Sequence, residues 1–131
     1  MPRNRIVVAE DDPSVRALIR ARLSAAGYDT HTAHNGQDAV DRIRNLQPDG
    51  VILDINMPVM DGFTVLARLN SEDRLCRIPV LMLTARHASE DVQRAIYMGA
   101  KDFLAKPFSD GQLLARVARL VRPPLPGHEY G

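Results

Sequence analysis

The sequence predicts an α/β fold in which five strands form a parallel sheet and five helices cover both of its faces. Three observations predict it. Short apolar runs rich in β-branched residues, such as Val51-Ile52-Leu53, read as strands buried on both faces. Between them lie segments whose apolar residues recur at helical spacing. The two patterns alternate along a chain of 131 residues, which calls for parallel pairing through right-handed crossovers.

The elements follow in order. Arg5 to Ala9 is a first apolar strand, ending in three acids, Glu10-Asp11-Asp12. Asp12 is placed to cap a helix whose first position is Pro13. Val15, Leu18, Ile19 and Leu23 form its apolar stripe, Arg16, Arg20 and Arg22 lie mostly on the other side, and Gly27 ends it. Tyr28 to Ala33 alternates weakly and reads as a more exposed strand. Asn35-Gly36 opens a second helix carrying Ala39, Val40, Ile43 and Leu46, which Pro48 stops. The third strand runs into Asp54, and Asp61 caps a third helix with Phe63, Leu66, Ala67 and Leu69. Pro79 to Leu83 is a buried strand ending in Thr84-Ala85. Ser89-Glu90-Asp91 opens a fourth helix that Gly99 closes. Lys101 to Ala105 is a short fifth strand ending at Lys106-Pro107. Ser109-Asp110-Gly111-Gln112 has capping-box form, and the last helix carries Leu113, Leu114, Val117, Leu120 and Val121.

Composition bounds the function. Hydrophobic content of 45% and charged content of 25% describe an ordinary globular domain. A formal net charge of +1 gives no field that would draw the chain to nucleic acid or an anionic membrane. No apolar run approaches the ~20 residues of a membrane span. Cys76 is the single cysteine, so no internal disulfide is possible. These features lead to the expectation of a cytoplasmic domain over residues 1–122. Residues 123–131, rich in Pro and Gly, read as a tail or linker.

Polar residues gather where strands end. The first strand delivers Glu10 and Asp11, the third Asp54, the fourth Thr84 and the fifth Lys106. In an open parallel sheet, ligands bind at that edge. Three converging carboxylates repel one another unless cations compensate. A hard divalent cation with all-oxygen ligands does so, which points to magnesium. Lys106 adds a fixed positive charge and Thr84 a hydroxyl donor. A carboxylate surrounded in this way suits phosphoryl transfer onto itself.

The motifs Val8-Ala9-Glu10-Asp11-Asp12, Leu53-Asp54-Ile55-Asn56-Met57-Pro58-Val59-Met60-Asp61-Gly62, Leu83-Thr84-Ala85, Gly99-Ala100-Lys101-Asp102-Phe103 and Leu104-Ala105-Lys106-Pro107-Phe108 resemble those of the receiver domains of two-component response regulators, from Arg5 to Leu120. The resemblance implies a flavodoxin-like, doubly wound (βα)5 fold with strand order 2-1-3-4-5. It implies that Asp54 accepts a phosphoryl group from a phosphohistidine on a sensor histidine kinase or phosphotransfer protein. Glu10, Asp11, Asp54 and the Asn56 backbone carbonyl would hold Mg2+, and Lys106 would pair with the acyl phosphate. Thr84 and Phe103 would form the switch pair acting on a surface of helix 4, strand 5 and helix 5. Lys106-Pro107 would be a cis peptide. Such a domain is a phosphoacceptor and not an enzyme beyond self-catalysed phosphotransfer and autodephosphorylation.

Some positions depart from the commoner pattern of that family. Glu10 stands where Asp is more usual. Phe103 stands where Tyr is frequent, which leaves the packing half of the switch without a hydroxyl. Lys101 stands where members that dimerise through helix 4, strand 5 and helix 5 often carry an acid, so a weak homodimer is the most that the resemblance implies. Asn56 and Arg86 fall where residues tune the lifetime of the acyl phosphate. Two other functions fit the fold class. A magnesium phosphatase would carry a second Asp two residues after its nucleophile, where this chain has Asn56. A flavin-binding flavodoxin relative would carry a Ser/Thr/Gly-rich phosphate loop after the first strand, where this chain has acids.

Overall fold

In a computed structural model of the chain, residues 3–85 and 88–122 are described. Five strands, β1 (Arg5–Ala9), β2 (Asp29–Ala33), β3 (Gly50–Asp54), β4 (Val80–Ala85) and β5 (Asp102–Lys106), alternate with five helices, α1 (Pro13–Ala25), α2 (Gly36–Leu46), α3 (Gly62–Asn70), α4 (Ser89–Tyr97) and α5 (Asp110–Leu120). The strands form one sheet in the order β2-β1-β3-β4-β5, with every neighbouring pair parallel. Among the described residues no helix is long and apolar enough to cross a membrane.

Alternation along the strands builds two cores. Val7, Ala9, Val51, Leu53, Val80 and Met82 point to one face, where α2, α3 and Ala95 of α4 cover them. Ile6, Val8, Ile52, Leu81, Leu83 and Leu104 point to the other, under Ile19 and Leu23 of α1 and Leu113, Val117 and Leu120 of α5. A central strand such as β3 is buried throughout, which is why it reads as an unbroken apolar run.

Local chemistry sets the helix starts. The Asp12 carboxylate accepts from the Ser14 and Val15 amides at 2.9 and 3.3 Å. Asn35 accepts from the Asp38 amide at 2.8 Å, and Asp61 from the Thr64 amide at 2.8 Å. The capping box of Ser109 and Gln112 is complete. The fourth helix starts at Ser89, as expected, but its cap is Ala88 and no side chain bonds its free amides. Leu18, read as part of the α1 stripe, is 42% exposed. Ile19 and Leu23 are the buried residues of the stripe and Val15 packs partly against the same core, while Leu18 lies at its flank. The Lys106–Pro107 peptide is cis.

Candidate functional site

Register brings the acids together. Ala9 pairs with Leu53, and Asp54 pairs with Leu83 across β3 and β4. Glu10 and Asp54 are each the next residue after the Ala9–Leu53 pair, so they stand side by side. Strand parity aims them. Glu10, Asp54 and Lys106 continue the series Val8, Ile52 and Leu104 and share the α1/α5 face, whereas Thr84 and Phe103 follow Met82 and its neighbours to the opposite face.

Glu10 and Asp54 are buried, and Asp11 is exposed. Oxygens from the three carboxylates lie within 4.8 Å of one another. Lys106 Nζ donates to both Glu10 oxygens at 3.1 and 3.0 Å and to Asp54 Oδ2 at 3.0 Å. The Asn56 amide donates to Asp54 Oδ1 at 3.2 Å. A pocket of about 530 Å³ opens over these groups, lined by Glu10, Asp11, Asp54, Asn56, Lys106 and their neighbours.

Burial pushes the Glu10 carboxyl up from 4.5 to about 7; the Asp54 carboxylate beside it adds to the rise and the Lys106 ammonium opposes it. Burial alone would lower Lys106, but its bonds to Glu10 and Asp54 and their charges outweigh that and raise it. The lysine is therefore firmly ionised. Two carboxylates, one ammonium and an exposed third carboxylate leave the cluster short of positive charge, and its donors are all oxygen. That donor set fits a hard divalent cation.

Thr84 and Phe103 are not in this cluster. They line a separate cavity of about 340 Å³ between β4, β5 and α4, together with Ser89, Val92 and Ala105. The Thr84 hydroxyl is buried and has no hydrogen-bond partner among the described residues. A buried hydroxyl left unpaired costs about 1–3 kcal/mol. Phe103 is half-buried, and the Arg116 guanidinium lies 5.9 Å from its ring centroid.

Other residues carry contacts that sequence reasoning did not reach. Arg16, read as solvent-facing, donates from Nη1 to the Glu10 and Asp11 carbonyls. Arg116 and Arg119 both pair with Asp102, at 3.2 and 2.8 Å, and Arg116 also donates to the Phe103 carbonyl. Lys101 Nζ donates to the Leu120 carbonyl at the end of α5 at 3.0 Å. A signal for Arg16 was available. Helix side chains lean toward the N-terminus, so an arginine at the fourth position of α1 reaches back over the turn before it. Cys76 is exposed. Arg86 and residues 123–131 lie outside the described residues.

The response regulator receiver domain family model matches residues 6–118. The chain belongs to that family and is a phosphorylation-activated signalling receiver. It is 42% identical over 118 residues to the DNA-binding dual master transcriptional regulator RpaA of Synechocystis, covering 90% of this chain and 49% of RpaA. It is 41% identical over 118 residues to the response regulator MprA of Mycobacterium avium, covering 90% of this chain and 51% of MprA. The chain thus spans about half the length of these curated relatives. Among solved structures it is similar to the chemotaxis response regulator CheY4 of Vibrio cholerae, with TM-score 0.86, 31% identity and coverage of 91% of this chain and 99% of that one. It is also similar to the receiver domain of the sensor histidine kinase PA1611 of Pseudomonas aeruginosa, described with a magnesium ion coordinated in the active-site cleft (TM-score 0.84, 28% identity, coverage of 92% and 98%). Neither the phosphatase nor the flavin reading finds support in these matches.

Proposed function

We propose that Asp54 is the phosphoacceptor and that Glu10, Asp11, Asp54 and the Asn56 carbonyl hold Mg2+. The observation that carries this reading is the buried Asp54 carboxylate held 3.0 Å from Lys106 Nζ, within 4.8 Å of oxygens from Glu10 and Asp11. One Asp54 oxygen attacks the phosphorus of a phosphohistidine on a sensor kinase or phosphotransfer protein. The O–P bond forms as the P–N bond breaks, and the electron pair leaves on the imidazole, which takes up a proton from solvent. The Lys106 ammonium neutralises charge on the phosphoryl oxygens, and the Asn56 amide orients the attacking carboxylate. When bound, Mg2+ supplies further charge neutralisation at the same oxygens.

The output follows from the two residues on the other face. The Thr84 hydroxyl, lacking an acceptor, turns to a phosphoryl oxygen. Phe103 then moves into the cavity beside it, which changes the surface of α4, β5 and α5. Turnover is limited to self-catalysed phosphotransfer and autodephosphorylation. Residues 1–122 form the receiver, and 123–131 a tail or linker toward an effector or an output partner. The domain itself makes no nucleic-acid contact and forms at most a weak homodimer.

Incubation with acetyl phosphate followed by intact-mass measurement tests this reading. Wild type gains one phosphoryl group in Mg2+ and far less in EDTA, and Lys106→Ala gains it at least tenfold more slowly. A wild type that gains none, or labelling indifferent to Mg2+, overturns it.

A further inference from the structure

An arginine stands behind the acidic trio and pairs with none of it. Arg16 is half-buried near the start of α1. Glu10 and Asp54 make their ion pairs with Lys106. Arg16 instead commits Nη1 to two backbone oxygens, the Glu10 carbonyl at 2.8 Å and the Asp11 carbonyl at 3.3 Å. That nitrogen carries two hydrogens, one for each acceptor.

The turn it grips is the one that must be fixed. The Glu10 amide still belongs to the sheet, donating to the Ala33 carbonyl at 3.1 Å, and the Asp12 carbonyl already accepts from the Arg16 amide at 2.9 Å. Between these anchors the carbonyls of residues 10 and 11 have left the ladder. Their orientation sets the backbone torsions that aim the Asp11 side chain. Asp11 is the exposed carboxylate of the three, and among the described residues no side-chain ion pair holds it.

The geometry points to Arg16 as a positioning residue of the cation site: its bonds to the Glu10 and Asp11 carbonyls hold the Asp11 carboxylate beside Glu10 and Asp54. The inference rests on the reading of that trio as the magnesium site. Its charge and its positioning act with opposite signs. A guanidinium near three carboxylates repels an incoming dication, so on charge alone its removal tightens binding. Removal of a group that orients metal ligands weakens binding, typically by ~10–100-fold.

Titration calorimetry with MgCl2 on wild type, Asp11→Asn, Arg16→Ala, Arg16→Gln and Arg16→Lys, with thermal melts in EDTA, separates these. Asp11→Asn loses most of the affinity that wild type shows. Arg16→Ala and Arg16→Gln weaken Mg2+ about tenfold while their metal-free melting stays close to wild type. Arg16→Lys, whose ammonium can donate to both carbonyls, recovers most of the loss. Should the alanine variant fail to fold, the glutamine and lysine variants carry the comparison. Wild-type or tighter affinity in Arg16→Gln overturns the role of Arg16 and leaves the magnesium site standing. A lysine variant no better than glutamine also overturns it. A wild type that takes up no Mg2+ defeats the magnesium reading, and this inference with it.

Discussion

Two backbone positions in the segment that follows Asp54 are held by opposite means. A Cβ on Gly62 would come within 2.4 Å of the Asp54 carbonyl and 2.8 Å of the Ile55 Cα. Both are backbone atoms, so they cannot swing aside. Gly62→Ala should cost about 1–3 kcal/mol by overpacking and should move the Asp54 amide resonance. Val59 is the reverse case. It is a β-branched residue at φ 71°, 81% exposed, in a tight turn where the Met60 amide donates to the Pro58 carbonyl at 2.7 Å. Such a conformation costs a non-glycine residue ~1–3 kcal/mol. Val59→Gly relieves it, loses part of the gain to the freer unfolded chain, and should raise the stability by about 1 kcal/mol in urea titration. Glu10 gives a pH signature. With its carboxyl at about 7 in the fold against 4.5 ordinarily, the folded state keeps a proton that the unfolded chain has released. Its contribution is fully present below pH 4.5 and is lost as pH rises through 7, with a slope approaching ~1.4 kcal/mol per unit. Urea midpoints measured in EDTA between pH 5 and 8 should show wild type falling relative to Glu10→Gln; parallel curves would remove Glu10 as the source.

Among the elements, α4 is the least anchored. Ala95 is its only fully buried residue, and its first turn has no side-chain cap, whereas α5 buries three residues and closes a capping box. The Asp102 pairs with Arg116 and Arg119 further tie β5 to α5. Local opening follows sparse burial. Amide hydrogens of α4 should therefore exchange at least tenfold faster than those of α5, and equal protection would contradict this ordering. Such a helix is suited to be the moving part, since it has little to break. Legibility divides at this scale. Asp12, Asn35, Asp61 and Ser109 were readable as helix starts because capping is a contact within three residues. The missing cap at Ala88 was not, because Ser89-Glu90-Asp91 marks where the helix opens without saying which residue takes the cap position. Leu18 was misplaced because helical spacing marks a stripe without saying which flank a neighbouring helix covers.

For the whole molecule, strand ends were legible and their registry was not. Glu10, Asp54, Thr84 and Lys106 each follow an apolar run, so one edge could be expected to collect them. That Thr84 and Phe103 face away from the carboxylates, toward α4, depends on strand parity and on which helices cover which face. Arg16 escaped notice because its contacts go to carbonyls, which every residue has and no motif records. On the proposed reading the parity split would place charge on one side of the sheet and read it on the other through the Thr84 hydroxyl, which is buried and unpaired among the described residues. Turning a population from mostly off to mostly on takes ~5.5 kcal/mol of differential stabilisation. Charge-assisted bonds of ~1.5–3 kcal/mol each from Lys106 and the Thr84 hydroxyl to a phosphoryl group on Asp54 would reach that range.

On the proposed reading Asp54, and no other carboxylate, receives the phosphoryl group. Borohydride reduction of the acyl phosphate after treatment with acetyl phosphate and Mg2+, followed by peptide mass mapping, tests it most directly. A single reduced aspartate is expected, at Asp54, and none in Asp54→Asn. Reduction at Asp11 or another carboxylate in wild type, or undiminished labelling in Asp54→Asn, would contradict it.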